Sequence, residues 1–194
     1  MDTIRMREAL RVAYIALWGR TTARSLEVAI NRATGIAAVL GELNATVDVI
    51  LSGVLHEVVA DLRYVSQLRL ENGSVAATGV VPVPDQRSLA LVANLFGQEV
   101  LTLCEKYSRL PRFLAQKTDY TLWQSENQIQ MLVMQAEDYR TLYIRLADRL
   151  HTLRVLRKLP LQESEQVKIA QEALYVYAPL AHKVFASEEY STSL

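Results

Sequence analysis

The chain has 194 residues, of which 51% are hydrophobic, and its 21 basic residues balance its 21 acidic ones. A chain of this length can bury one sizeable core, and its few glycines and prolines, seven and five, indicate a helical protein and exclude an all-β one. The zero net charge argues against non-specific binding to nucleic acid or to an anionic membrane.

Cysteine content and apolar runs exclude further classes. Cys104 is the single cysteine, which rules out an internal disulfide and a cysteine-based zinc site. No run approaches the roughly 18 apolar residues that a membrane-spanning helix needs. The first ten residues lack the apolar segment of a secretory signal, so we expect an intracellular, cytoplasmic protein.

Apolar residues recur at helical spacing through the first third of the chain. This pattern predicts helices over residues 3–18, 25–43 and 47–68. The turn between the second and third helices contains Asn44 and Thr46, and either residue is a suitable N-cap for the third helix.

The middle of the chain concentrates turn-forming residues. Residues 71–87 contain two of the five prolines, and their composition predicts a surface loop. Two short helices are predicted next, over residues 89–96 and 98–107, with Gly97 between them.

From residue 121 the pattern is helical nearly to the end of the chain. Helices are predicted over residues 121–136, 138–158 and 163–184, and the polar residues 186–194 are expected to fray. No internal repeat and no convincing strand pattern is present. We therefore predict an all-α fold, with residues 1–185 forming one domain.

Two of the predicted core helices carry ionisable side chains in their middle. One contains His56, Glu57 and Asp61, and the other contains Asp148 with Thr152 one turn later. An unpaired buried charge is costly, so we expect these helices to face each other across a site for a divalent metal and a phosphate. Taken alone, the same residues are also compatible with ion pairs on a helix surface.

Four segments occur in the order and spacing of a known family. They are VLHEVVAD (54–61), NLFGQEV (94–100), a long stretch at 124–154 that includes RLADRLH, and YAPLAHK (177–183). Together they resemble the N-terminal hydrolase domain of the RelA/SpoT homologue family, which makes and degrades guanosine tetra- and pentaphosphate. The resemblance covers about residues 9–183 and implies a multi-helix bundle of the HD-domain type.

The resemblance implies a set of metal ligands, which this chain matches only in part. Family members that hydrolyse bind Mn²⁺ with two histidines, an aspartate after the second histidine, and a late aspartate; the ion polarises the 3′ pyrophosphate and activates a water. The second histidine corresponds to His56 and the late aspartate to Asp148. Glu57 stands where the family has the first aspartate, and Arg32 where it has the first histidine.

Other positions also depart from the family pattern. Ala60 replaces the first member of an assisting acidic pair and Asp61 retains the second, so Asp61 is the expected catalytic residue if the site is active. The resemblance further implies three nucleotide-binding candidates: Arg24 and Ser25 from a shortened basic patch, and Thr152 in place of an asparagine near the guanine. Arg32 is a fourth candidate, because its guanidinium can bind a phosphate.

These departures have a physical meaning. An arginine is always protonated and has no lone pair for a metal. Loss of an imidazole and of an acidic helper would each cost orders of magnitude in rate. We therefore predict a degenerate, vestigial metal site at His56, Glu57 and Asp148 without hydrolase activity, in which Arg32 either holds the two carboxylates in a salt bridge or binds a phosphate.

Three functions remain open from the sequence. The first is a regulatory module that binds a guanine nucleotide or acts on a (p)ppGpp synthetase domain in cis or in trans. The second is an active Mn²⁺-dependent pyrophosphohydrolase in which Glu57 substitutes for the aspartate. The third is a helical interaction module with no nucleotide role. Plant and algal family members work in plastids, so the plastid stroma is the expected compartment in such an organism.

Overall fold

The structure of the chain, a computed structural model, describes residues 3–17, 23–62, 67–71, 74–78, 86–111 and 122–191. Its elements are α1 (Thr3–Leu17), α2 (Ala23–Glu42), α3 (Val47–Leu62), β1 (Gln67–Glu71), β2 (Ser74–Thr78), α4 (Gln86–Phe96), α5 (Gln98–Arg109), α6 (Leu122–Gln135), α7 (Arg140–Val155), α8 (Glu163–Glu172) and α9 (Ala178–Ser191). A 3₁₀ turn (Leu156–Lys158) follows α7, and a π-helical turn (Ala173–Tyr177) joins α8 to α9. The prediction of an all-α bundle is confirmed, with one small hairpin added to it.

Helix α3 lies at the centre of the bundle. Its apolar side chains Leu51, Val54, Leu55 and Val58 are almost completely buried and recur at helical spacing. It packs against α1, α2, α5 and α7, and α2 also packs against α7. Each fully buried side chain of this kind contributes about 1.5–3 kcal/mol of hydrophobic stabilisation. Packing therefore fixes α2, α3 and α7 relative to one another, and these helices carry the candidate site.

The turn after α2 distinguishes between the two N-cap candidates, Asn44 and Thr46. Asn44 has a φ of 54°, and its N–H donates to the carbonyl of Gly41 at 3.1 Å, while the following N–H donates to the carbonyl of Leu40 at 3.0 Å. These two bonds form a Schellman motif, so Asn44 ends α2 and does not cap α3. Thr46 takes the N-cap position, where its carbonyl accepts the N–H of Ile50 at 3.1 Å.

The hairpin corrects two predictions. Helix α3 ends at Leu62, short of residue 68, and strands occupy part of the segment predicted as a loop over 71–87, whose residues 72–73 and 79–85 lie outside the described ones. The strands are antiparallel, with Leu68 opposite Ala77 and Leu70 opposite Val75. The alternation in QLRLE and the Asn-Gly pair at 72–73 are the sequence signals of a hairpin. They were missed because the apolar residues also fit a continued helix.

The last predicted helix, 163–184, is divided into α8, the π-helical turn and α9, and it ends later than predicted. Helix α9 continues to Ser191, although fraying was expected from residue 186, and residues 192–194 lie outside the described part. Helix α8 begins with a capping box, in which the Glu165 side chain accepts the N–H of Gln162 at 2.9 Å. Across the described segments, no helix combines the length and the apolar character needed to cross a membrane.

Candidate functional site

An arginine lies between two carboxylates where α2, α3 and α7 meet. The Arg32 Nε and Nη2 atoms donate to the two oxygens of Asp148 at 2.7 and 2.6 Å, and its Nη1 donates to Glu57 at 2.6 Å. The contact with Asp148 is bidentate, which is the strongest arrangement of this pair. The salt bridge proposed from the sequence as one role of Arg32 is thus present, and it joins α7 to the consecutive helices α2 and α3.

Burial and charge act in opposite directions on this cluster. The Asp148 side chain is 10% exposed, whereas those of Glu57 and Arg32 are 28% and 40% exposed. Burial alone would raise the pKa of Asp148, but the hydrogen bonds and charge of Arg32 outweigh it and hold that pKa below its usual value. Burial alone would also lower the pKa of Arg32. The carboxylate of Asp148, with a smaller contribution from Glu57, outweighs burial and raises that pKa. Arg32 and Asp148 are therefore both charged at neutral pH.

His56 is buried beside this cluster and is not part of a surface pair. It is 3% exposed, and its Nδ1 lies 2.8 Å from the carbonyl oxygen of Gly53. Because a carbonyl only accepts, Nδ1 carries the proton and Nε2 keeps its lone pair. Burial lowers the pKa of His56 despite the nearby carboxylates, so the ring is neutral. In metal-binding histidines, too, the nitrogen that does not bind the metal donates its N–H to a carbonyl or carboxylate oxygen.

One face of α7 lines a cavity of about 550 Å³. The polar residues of α7 in the lining are Arg145, Asp148, Arg149, His151 and Thr152, and Lys158 from the following 3₁₀ turn also lines the cavity. Arg32, His56 and Glu57 line the opposite side. The cavity therefore extends along α7 from the buried Asp148 to the exposed Lys158 on the 3₁₀ turn.

Two further arginines fix the inner end of the cavity. Arg149 forms a salt bridge of 2.8 Å with the buried Glu172 and stacks 4.6 Å from the ring centroid of Tyr177. Arg145 stacks 4.8 Å from the ring centroid of Tyr107 and donates to two backbone carbonyls at 3.3 Å. Neither arginine forms the surface cluster with Asp148 that the sequence left open, because Asp148 is itself buried.

The structure brings together most of the residues proposed from the sequence. Arg32, His56, Glu57, Asp148 and Thr152 all line the cavity, and the Thr152 hydroxyl donates to the Asp148 carbonyl at 2.9 Å. The backbones of the other three candidates are helical, but their side chains lie outside the described residues; these are Arg24 and Ser25 in the first turn of α2 and Asp61 near the end of α3.

Several residues that line the cavity were not among the predicted site residues, and two of them follow Asp148 along the chain. His151 and Lys158 line the cavity alongside Thr152. His151 packs on Gly35 of α2, where an added Cβ would lie 1.9 Å from its Nδ1. Helical spacing from Asp148 could have indicated both residues. Positions 148, 151 or 152, 155 and 158 are three or four apart and therefore lie on one face. That count does not reveal which helix lies opposite, so it could not assign them to a site.

The donor set fits a divalent ion poorly. Arg32 engages both oxygens of Asp148 and one oxygen of Glu57, which are the atoms that a metal would need. Among the residues with described side chains, no three of His, Cys, Asp and Glu are arranged to hold a metal ion. The guanidinium already supplies a positive charge at this position, and it would repel a second cation.

Comparison with known proteins identifies the fold family. The family model described as HD domain matches residues 63–184, a segment that contains Asp148 and begins after Glu57. A GTP pyrophosphokinase of Myxococcus xanthus is 31% identical over 150 residues, which are 77% of this chain and 16% of that protein. The bifunctional (p)ppGpp synthase/hydrolase SpoT of Escherichia coli K12 is 29% identical over 180 residues, 93% of this chain and 22% of that protein.

A plant protein is similar to the same extent. A putative chloroplastic GTP diphosphokinase of rice is 31% identical over 179 residues, which are 90% of this chain and 17% of the rice protein. The chain thus spans about a fifth of the length of the curated relatives it matches. It belongs to the HD domain family and, within it, to the RelA/SpoT homologues.

Proposed function

We propose that this chain is a degenerate HD domain of guanosine tetraphosphate metabolism that does not hydrolyse the nucleotide and acts as a regulatory or nucleotide-binding module. The observation that carries the proposal is the guanidinium of Arg32, which lies between Glu57 and Asp148 and bonds to both. Relatives named as (p)ppGpp synthase/hydrolase and as 3′-pyrophosphohydrolase support the link to this metabolism.

The chemistry of pyrophosphate hydrolysis explains why a guanidinium in place of the metal ion abolishes turnover. A bound metal ion polarises the phosphoryl oxygen and lowers the pKa of a water so that it can attack. A guanidinium neutralises charge but cannot coordinate a water or lower its pKa in this way. The cluster therefore retains a positive charge between its helices and lacks a means of making a nucleophile.

A regulatory role follows from how the cluster joins the helices. Arg32, Glu57 and Asp148 connect α2, α3 and α7 without an ion, so the domain can keep its shape in the absence of metal. The relatives named as synthase or pyrophosphokinase are about five times longer than this chain. We propose that the partner of this module is a (p)ppGpp synthetase domain, in cis or in trans, which it positions or restrains.

Release of pyrophosphate from guanosine tetraphosphate tests the proposal. Purified chain is incubated with the nucleotide and excess Mn²⁺, and the His56→Ala and Asp148→Ala variants serve as controls. We expect all three proteins to give the same background rate. Turnover by the wild type that is lost in either variant would overturn the proposal.

A second candidate function rests on one observation. His56 keeps its Nδ1 bonded to a carbonyl and its Nε2 free to act as a ligand, as in an active metal site. In that case Glu57 would replace the missing aspartate, Asp61 would assist, and Mn²⁺ would have to displace Arg32 from the carboxylates. The assay above separates the two candidates, because only this one predicts turnover that depends on His56.

A further inference from the structure

Charge is unevenly distributed along the cavity. Arg32 with Glu57 and Asp148 forms a triad of one cation and two anions, so this inner cluster has a net charge of minus one. Arg149 is compensated by Glu172. In an HD site with a divalent ion the metal would reverse the sign of the cluster and attract a phosphate. Here the triad itself repels one. Arg145, which also lines the cavity, offsets part of this negative charge, but it is buried and already donates to two backbone carbonyls.

Lys158 provides the accessible positive charge at the other end. It is exposed on the 3₁₀ turn, lines the cavity, and takes part in none of the salt bridges found between described residues. Arg145 also has no carboxylate partner among these, but it is buried against Tyr107 and donates to backbone carbonyls. Lys158 is therefore the cation best placed to meet an anion that enters from solvent.

The distance between the two ends decides which charge an incoming anion experiences. Ten residues separate Asp148 from Lys158, which corresponds to about 15 Å along the helix. The screening length at physiological ionic strength is about 8 Å. An anion beside Lys158 is thus screened from the negative triad, whereas an anion beside the triad is not.

The lining of the cavity suits a ligand with both apolar and polar parts. Val155 and Leu159 flank Lys158 in the chain and line the cavity with it, as does Val28, which is 48% exposed on α2. The amide of Asn31, also in the lining, adds hydrogen-bonding capacity. His151 contributes no charge at neutral pH, because burial lowers its pKa. A nucleotide, with a flat apolar base and a charged phosphate, has the matching chemistry.

We propose that Lys158 forms an anion subsite that holds a phosphate of a nucleotide without a divalent ion, at the end of the cavity away from the Arg32–Glu57–Asp148 triad. The inference rests on the proposed function, since it assumes that this pocket takes a nucleotide. It adds the orientation of the ligand: the phosphate lies at the rim, and the former metal position receives no anionic group.

Calorimetric titration of the chain with GDP and with guanosine, in buffer containing EDTA, tests the subsite. The variant is Lys158→Gln, and Arg157→Gln is the matched control, because Arg157 is exposed on the same turn and does not line the cavity. We expect Lys158→Gln to weaken GDP binding about fivefold, the upper range for an exposed ion pair, and to leave guanosine binding unchanged. Arg157→Gln should leave both unchanged.

Three results would overturn the subsite. They are equal GDP affinity in Lys158→Gln and Arg157→Gln, GDP binding that disappears in EDTA and returns with Mn²⁺, and no GDP binding by the wild type. None of these reports on hydrolysis. Failure of the proposed function would instead appear as release of pyrophosphate that depends on His56 and Asp148, so the two failures are distinguishable.

Discussion

Replacing Arg32 by methionine removes the charge that the two carboxylates share and keeps a side chain of similar length. Breaking a buried ion pair by removing one partner costs about 3–5 kcal/mol. The Asp148 side chain is 10% exposed but that of Arg32 is 40% exposed, so water screens part of the interaction. We therefore expect Arg32→Met to lower the free energy of unfolding by about 2 kcal/mol. For a chain of this size the melting temperature would fall by about 4–8 °C.

Urea unfolding at several pH values measures this effect and its origin. The pKa of Asp148 is lowered in the folded protein, because Arg32 outweighs the opposing effect of burial. A carboxyl with a lowered pKa contributes stability that is complete above its unfolded pKa of about 3.9 and is lost as the pH falls through the folded value. The difference between wild type and Arg32→Met should therefore be largest near pH 7 and shrink below about pH 4.

Two further variants make the interpretation specific. Adding Asp148→Asn to Arg32→Met removes the unpaired charge and should restore part of the lost stability. Arg154→Met breaks the exposed pair with Glu42 and should change the free energy of unfolding far less than Arg32→Met does, because water screens both charges. Wild-type stability of Arg32→Met at pH 7, or a loss of equal size at pH 3 and pH 7, would refute the reasoning.

Two other predictions concern packing. Gly35→Ala should lower the free energy of unfolding by about 1–3 kcal/mol, because the new methyl group would meet the His151 ring; Gly41→Ala on the same helix, with nothing within 4 Å, should be neutral or slightly stabilising. Thermal melts decide this, and equal effects of the two changes would contradict the close approach of α2 and α7. Burial raises the pKa of Cys104 to about 12, so a thiol reagent at pH 8 should label the chain only in urea. Rapid labelling of the native chain would show that this thiol is not held in the core.

The fold was largely predictable because its helices are long and periodic. The apolar stripe of α3 and the four family segments indicated a helical bundle, and the bundle is confirmed. The hairpin at Gln67–Thr78 was missed because short apolar runs fit either period. The π-helical turn at Ala173–Tyr177 was also missed, since it has no distinct sequence pattern.

The site was predictable in its residues more than in its geometry. Family spacing picked out Arg32, Glu57 and Asp148, and the charge of an arginine suggested a salt bridge in place of a metal. Sequence spacing within one helix could not place His151 or Lys158, because their role depends on which helix lies across the cavity. The contact between Gly35 and His151 shows the same limit, since it joins residues more than a hundred positions apart.

The central claim is that the guanidinium of Arg32 occupies the place of a metal ion. Equilibrium dialysis of the wild-type chain against micromolar Mn²⁺ at neutral pH tests it most directly, with Asp148→Asn as the control. The account predicts no bound Mn²⁺ in either protein. One ion per chain at micromolar affinity, lost in Asp148→Asn, would contradict it.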